Sequence, residues 1–187
     1  MEPRILVAYH TVEGQTARIA ECIASVLRTT GNLVDIVVVD EAPAPDGYDT
    51  VVTGGSIHAV HHSRALVHYL KEHAPTLNEM PTALFQVSLT STNPDEEHTA
   101  SAQGMVHELL EKTGYEPDIV GLFAGALVYT QYGWFKRRVM RAIVKRERGD
   151  TDTSHDYEYT DWTAVEQFAN DVDALTAASK EQHRSEA

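Results

Sequence analysis

"RILVAYHTVEGQTARIA", residues 4–20, decides the fold. Its first part, "RILVAYH" (4–10), is a short apolar run rich in strand formers. Its second part opens the helical stretch "TARIAECIASVLRTTG" (16–31), apolar at positions 19, 20, 23, 26 and 27 and stopped by a glycine. The turn between them contains Gly14, flanked by Thr11, Glu13, Gln15 and Thr16, and has no lysine. A strand that passes through a tight turn into a helix is the repeating unit of a parallel sheet.

The pattern recurs along the chain. "LVDIVVVD" (33–40), "YDTVVTGGS" (48–56), "TALFQVSL" (82–89) and "DIVGLFAGAL" (118–127) read as further strands. Helices are expected over 63–74, where Ser63 is placed to cap, over 95–114, and over 161–176. Near-continuous apolar strands alternating with helices imply an α/β fold, a doubly wound five-stranded parallel sheet with helices on both faces. One domain spans 1–176, and the polar stretch 177–187 is expected to fray as a tail. In such sheets ligands sit beyond the carboxyl ends of the strands, where strand order reverses.

Composition narrows the function. A chain of 187 residues with 42% hydrophobic and 23% charged residues can bury a full core. A net charge of −13 argues against general nucleic-acid binding. Cys22 is the sole cysteine, so an internal disulfide is excluded. No apolar run approaches a membrane span and no secretory leader is visible, so a cytoplasmic location is expected. The charge is uneven, however: residues 136–148 hold seven basic side chains against Glu147 alone.

The first turn is a natural anion site, because a helix N-terminus offers unpaired N–H groups and a partial positive charge. A P-loop would need a second glycine and a lysine, and both are missing. A dinucleotide site would need three glycines; Asp40 suits the accompanying acid, but one glycine stands where three are required. A terminal monophosphate asks less. Hydroxyls of Thr11 and Thr16, backbone amides between them and the turn at Gly14 can hold it without a lysine.

The stretch resembles the T-x-T-G-x-T phosphate loop of flavodoxins, with Glu13 in place of the middle threonine. A carboxylate beside a phosphate is repelled, so the Glu13 side chain is expected to point to solvent while its amide serves. "VVTGGSIHAVHH", "GLFAGALVYTQYGWF", "GDTDTSHDYEYTDW" and "AVEQFANDVDAL" extend the likeness over residues 4–175. Together they resemble the flavodoxin-type protoporphyrinogen IX dehydrogenases. The resemblance implies FMN as cofactor, porphyrinogen as substrate and a quinone as electron acceptor. The phosphate side of the FMN site would then comprise His10, Thr11, Val12, Glu13, Gly14, Gln15 and Thr16.

The loop after the third strand, with Ser56, Ile57 and His58, is expected to touch the ribityl chain or ring, its glycines permitting close approach. Ser88, Leu89 and Thr90 are expected on the pyrimidine side. His58 is the candidate for acid–base work. His58, His61 and His62 have no cysteine or acid beside them, and no metal site is expected. The segment 132–148 reads as a basic amphipathic helix, a peripheral contact for the cytoplasmic membrane face. There Tyr129, Tyr132, Trp134, Arg137, Arg138 and Arg141 are candidates for substrate or membrane contact. The same residues also accommodate a flavodoxin-like electron carrier, or a cofactor-free interaction module of the same fold.

Overall fold

The computed structural model describes residues 2–57, 61–88, 96–127 and 157–186. Strands β1 (Arg4–His10), β2 (Leu33–Val38), β3 (Thr50–Ser56), β4 (Thr82–Ser88) and β5 (Ile119–Ala124) form one parallel sheet in the order β2-β1-β3-β4-β5. The chain moves outward from β1 to β2, then crosses back to β3 on the other side of β1. The order therefore reverses between β1 and β3, and this is the crevice that such sheets use for ligands.

Helices α1 (Gln15–Thr29) and α4 (Trp162–Glu186) cover one face, and α2 (Arg64–Leu77) and α3 (Glu96–Thr113) cover the other. The strand pleat divides the core between them. Ile5, Val7, Val52 and Phe85 pack under α1 and α4; Leu6, Ala8, Val51 and Leu84 pack under α2 and α3. Phe123 and Phe168 meet edge-to-face at 5.5 Å, fixing α4 to β5.

Boundaries differ from the sequence reading in instructive places. Ser63 does cap α2, its hydroxyl accepting from the Leu66 amide at 3.1 Å. The helix nevertheless runs past Pro75 to Leu77, whose complete burial offsets the hydrogen bond that proline removes. The fifth strand ends at Ala124. Residues Ala126–Leu127 (β6) leave the main sheet and pair antiparallel with Tyr157–Glu158 (β7). The stretch 177–187 is not a frayed tail: α4 continues through it to Glu186, and Lys180 pairs with Asp49 at 3.6 Å. Further back on that helix, Thr50 and Thr176 hydroxyls meet at 2.8 Å in the core.

Candidate functional site

The turn after β1 has the conformation its glycine allows. Gly14 adopts φ +90° as N-cap of α1, a left-handed conformation that L side chains rarely adopt. Its amide donates to Thr11 Oγ1 at 3.1 Å. That bond occupies the threonine oxygen as acceptor and leaves its O–H to donate outward. The Gly14 carbonyl is the first in the helix to accept, from the Arg18 amide at 3.1 Å. The amides of Gln15, Thr16 and Ala17 consequently have no acceptor within the helix. Val12 is exposed, and Glu13, expected to project into solvent, is half-buried and not free.

The other strand ends arrive beside this turn. His10 closes β1 in register with Gly55 of β3, and Ser56 is in register with Val87 of β4. His10 Nδ1 and Ser56 Oγ are both buried without a hydrogen-bond partner among the described residues. Buried polar atoms are rarely left so, and here two of them stand at the switch point beside a neutral anion cradle. This donor set fits a flavin mononucleotide: hydroxyls and helix amides for the phosphate, and orphaned polar groups along the adjoining strand ends. The fit rests on neutral donors. Arg18, the one cation in the first turn of α1, is held elsewhere.

That restraint was not read from the sequence. Arg18 Nη1 donates to Glu158 Oε2 at 2.8 Å and to Gln15 Oε1 at 3.0 Å, while its guanidinium stands 5.2 Å from the Trp162 ring centroid. Gln15 Nε2 donates to Thr160 Oγ1 at 2.8 Å and to Glu158 Oε1 at 3.3 Å, and Trp162 Nε1 donates to the same carboxylate at 2.8 Å. Thr160 in turn donates to the Ala124 carbonyl at 2.8 Å. Arg18 above all, then Gln15 and Trp162, hold the Glu158 carboxyl below its usual range against the opposing effect of burial. Gln15 was expected to serve the phosphate. Its side chain is committed to this network, so its amide is what remains for an anion.

Other expected contacts also change. Ile57 N donates to the Val87 carbonyl at 2.9 Å, and the Ser88 carbonyl accepts from Gly125 N at 3.2 Å, so strand pairing uses both groups. Gly54 and Gly55 were expected to admit a ligand. A Cβ on Gly54 would overlap the Phe85 ring, and one on Gly55 would lie 2.9 Å from Leu66 Cδ2. Both glycines make room for the core. His58, Leu89, Thr90, Tyr129, Tyr132, Trp134, Arg137, Arg138 and Arg141, and the whole 132–148 segment, lie outside the described residues.

A doubly wound sheet with an anion cradle at its switch point defines a flavodoxin-like protein, and the flavodoxin domain family model matches residues 6–154. The fold is shared with a solved Streptococcus pneumoniae flavodoxin, 17% identical, covering 91% of this chain and 98% of that one with a TM-score of 0.55. A flavodoxin from the domain Archaea, 12% identical, covers 95% of this chain and 99% of its own with a TM-score of 0.54. Closer likeness is found to the protoporphyrinogen IX dehydrogenase [quinone] of Escherichia coli K12, 36% identical over 92% of this chain and 96% of that protein. The Leishmania major protein of the same name is 37% identical over 94% of this chain and 77% of its own length. The chain belongs to the flavodoxin-type protoporphyrinogen IX dehydrogenase family.

Proposed function

We propose that this protein oxidises protoporphyrinogen IX with FMN as cofactor and passes the electrons to a quinone. The observation that carries the reading is the lysine-free cradle at the switch point, in a chain that matches the dehydrogenases over nearly its full length. Bound FMN supplies two-electron redox chemistry between the porphyrinogen and the quinone. The chain's own part is placement. Thr11 and Thr16 hydroxyls and the amides of Gln15, Thr16 and Ala17 bind the phosphate monoester; His10 and Ser56 bind along the ribityl side; Ile57 and Ser88 border the ring. The Glu158 network keeps the first turn of α1 in register with the cradle.

Two finer assignments accompany this reading. The basic segment 132–148 docks the protein on an anionic membrane surface, where a bilayer quinone is within reach, and the protein works in the cytoplasm. No helix among the described residues is long and apolar enough to cross a membrane. The decisive assay is anaerobic. FMN-loaded protein is given protoporphyrinogen with and without a menaquinone analogue, and porphyrin fluorescence is followed. Quinone-dependent porphyrin formation is expected. A protein that binds FMN yet forms no porphyrin with any quinone is an electron carrier. Vesicle co-sedimentation tests the docking: binding to anionic vesicles and none to neutral ones is expected, and equal binding to both would reject it.

A further inference from the structure

On the face of the sheet opposite α1, a cavity of about 290 Å³ opens between α2 and α3. Its size is at the lower end of ligand pockets, which run from about 300 to 1,000 Å³. Val67, Met105 and Leu109 make it apolar, and Leu109 is only 2% exposed. Arg64, from the first turn of α2, and Lys112, near the end of α3, bring two positive charges to it. Neither makes an ion pair with a described residue, although the chain carries 28 acids against 15 lysines and arginines. Unpaired cations on an apolar pocket in an acidic protein raise its potential and attract an anion.

The remaining lining limits which anion. Glu108, one turn before Lys112, also faces the cavity, so the two cations and this acid leave one net positive charge. That balance suits a monoanion and disfavours a polyphosphate. His62 lines the pocket as well, and its Nε2 is buried without a hydrogen-bond partner among the described residues. The Gln86 carboxamide is near enough to favour the charged imidazole but does not reach hydrogen-bond geometry. Burial holds His62 neutral, with its pKa lowered to about 4, so it lines the pocket without adding to its charge. The neighbouring His61 adds a second imidazole to the lining.

We propose that the α2–α3 pocket binds a monocarboxylate on a short aliphatic body, the carboxylate against Arg64 and Lys112 and the aliphatic part against Val67, Met105 and Leu109. Two sources share this chemistry. One is a propionate arm of the porphyrinogen, which rests on the function proposed above; the other is a free aliphatic acid, which does not.

The test uses the FMN-loaded protein with ¹³C-methyl methionine, the Met105 signal being assigned by its loss in Met105→Leu. Hexanoate is titrated against its neutral counterpart, 1-hexanol. A saturable Met105 shift is expected with hexanoate, at least tenfold weaker for hexanol. Binding should be at least tenfold weaker in the double variant R64Q/K112Q, whose unchanged flavin spectrum reports an intact fold. Glu108→Gln, which removes the like charge, should tighten hexanoate several-fold. Absence of a saturable shift, equal affinity for hexanol, unchanged binding in R64Q/K112Q, or weaker binding in Glu108→Gln overturns the proposal. Displacement of hexanoate by protoporphyrinogen identifies the substrate arm as the source, and failure to displace identifies a free acid. None of these readings requires turnover, so a pocket that fails is distinguishable from an enzyme that fails.

Discussion

Gly14 at φ +90° has open space where a Cβ would stand, so the constraint there is purely conformational. A β-branched residue costs about 1–2 kcal/mol in the left-handed region. Gly14→Val is therefore expected to weaken FMN binding by about tenfold or more, read by fluorescence quenching, with riboflavin binding much less affected. His62 makes a different prediction. Its folded pKa of about 4 lies below the usual 6.5, so in that window the unfolded chain binds a proton that the folded chain refuses. Stability therefore falls as the pH drops from 6.5 towards 4, by up to about 3 kcal/mol. His62→Gln should remove this component, measured as a smaller difference between urea midpoints at pH 7 and pH 4.5. The glycine was legible in the sequence because a lone glycine between a strand and a helix has few other uses. Gly54 and Gly55 also leave room for Phe85 and Leu66, neighbours that reach them only in three dimensions and so are not legible in the sequence.

At the scale of elements, the contact between α4 and the sheet depends on a hydroxyl pair with a direction. Thr176 Oγ1 donates to the Val172 carbonyl at 2.8 Å, so in the pair with Thr50 it is Thr50 that donates. Thr176→Val strands a buried O–H and should cost about 1–3 kcal/mol in urea unfolding, whereas Thr50→Val should cost less. Glu158 ties β7 to the start of α1. Glu158→Ala removes the acceptor shared by Gln15, Arg18 and Trp162 and should loosen the cradle, weakening FMN more than riboflavin. Because its carboxyl titrates below the usual 4.5, the stability it lends is complete above that pH and lost as the pH falls through the lowered value. Period and capping made the strands and most helices readable in advance. The Glu158 network was not readable, because Gln15 and Arg18 meet Glu158 and Thr160 from 140 to 145 residues away in the chain. Nor was the length of α4: "AASKEQHRSE" carries no apolar stripe that announces a helix, and Lys180 finds Asp49 only once the sheet is assembled.

At the scale of the molecule, cofactor and fold are linked. A ligand that binds only the folded state at 100 times its Kd adds about 2.7 kcal/mol of stability, and FMN should raise the melting temperature accordingly while riboflavin raises it less. The pairing of Leu127 with Tyr157 has a consequence for how such a protein can change over time. Leu127 and Tyr157 are partners across β6 and β7, so the two ends of the stretch 128–156 lie side by side. Closing a longer or shorter stretch alters the chain-closure entropy only slowly with length. Replacement of 128–156 by a short Gly-Ser turn should leave a protein that folds and still binds FMN, while porphyrinogen oxidation is lost. The stretch 128–156 can thus change in length over time while the strands and the turn that form the FMN cradle stay as they are.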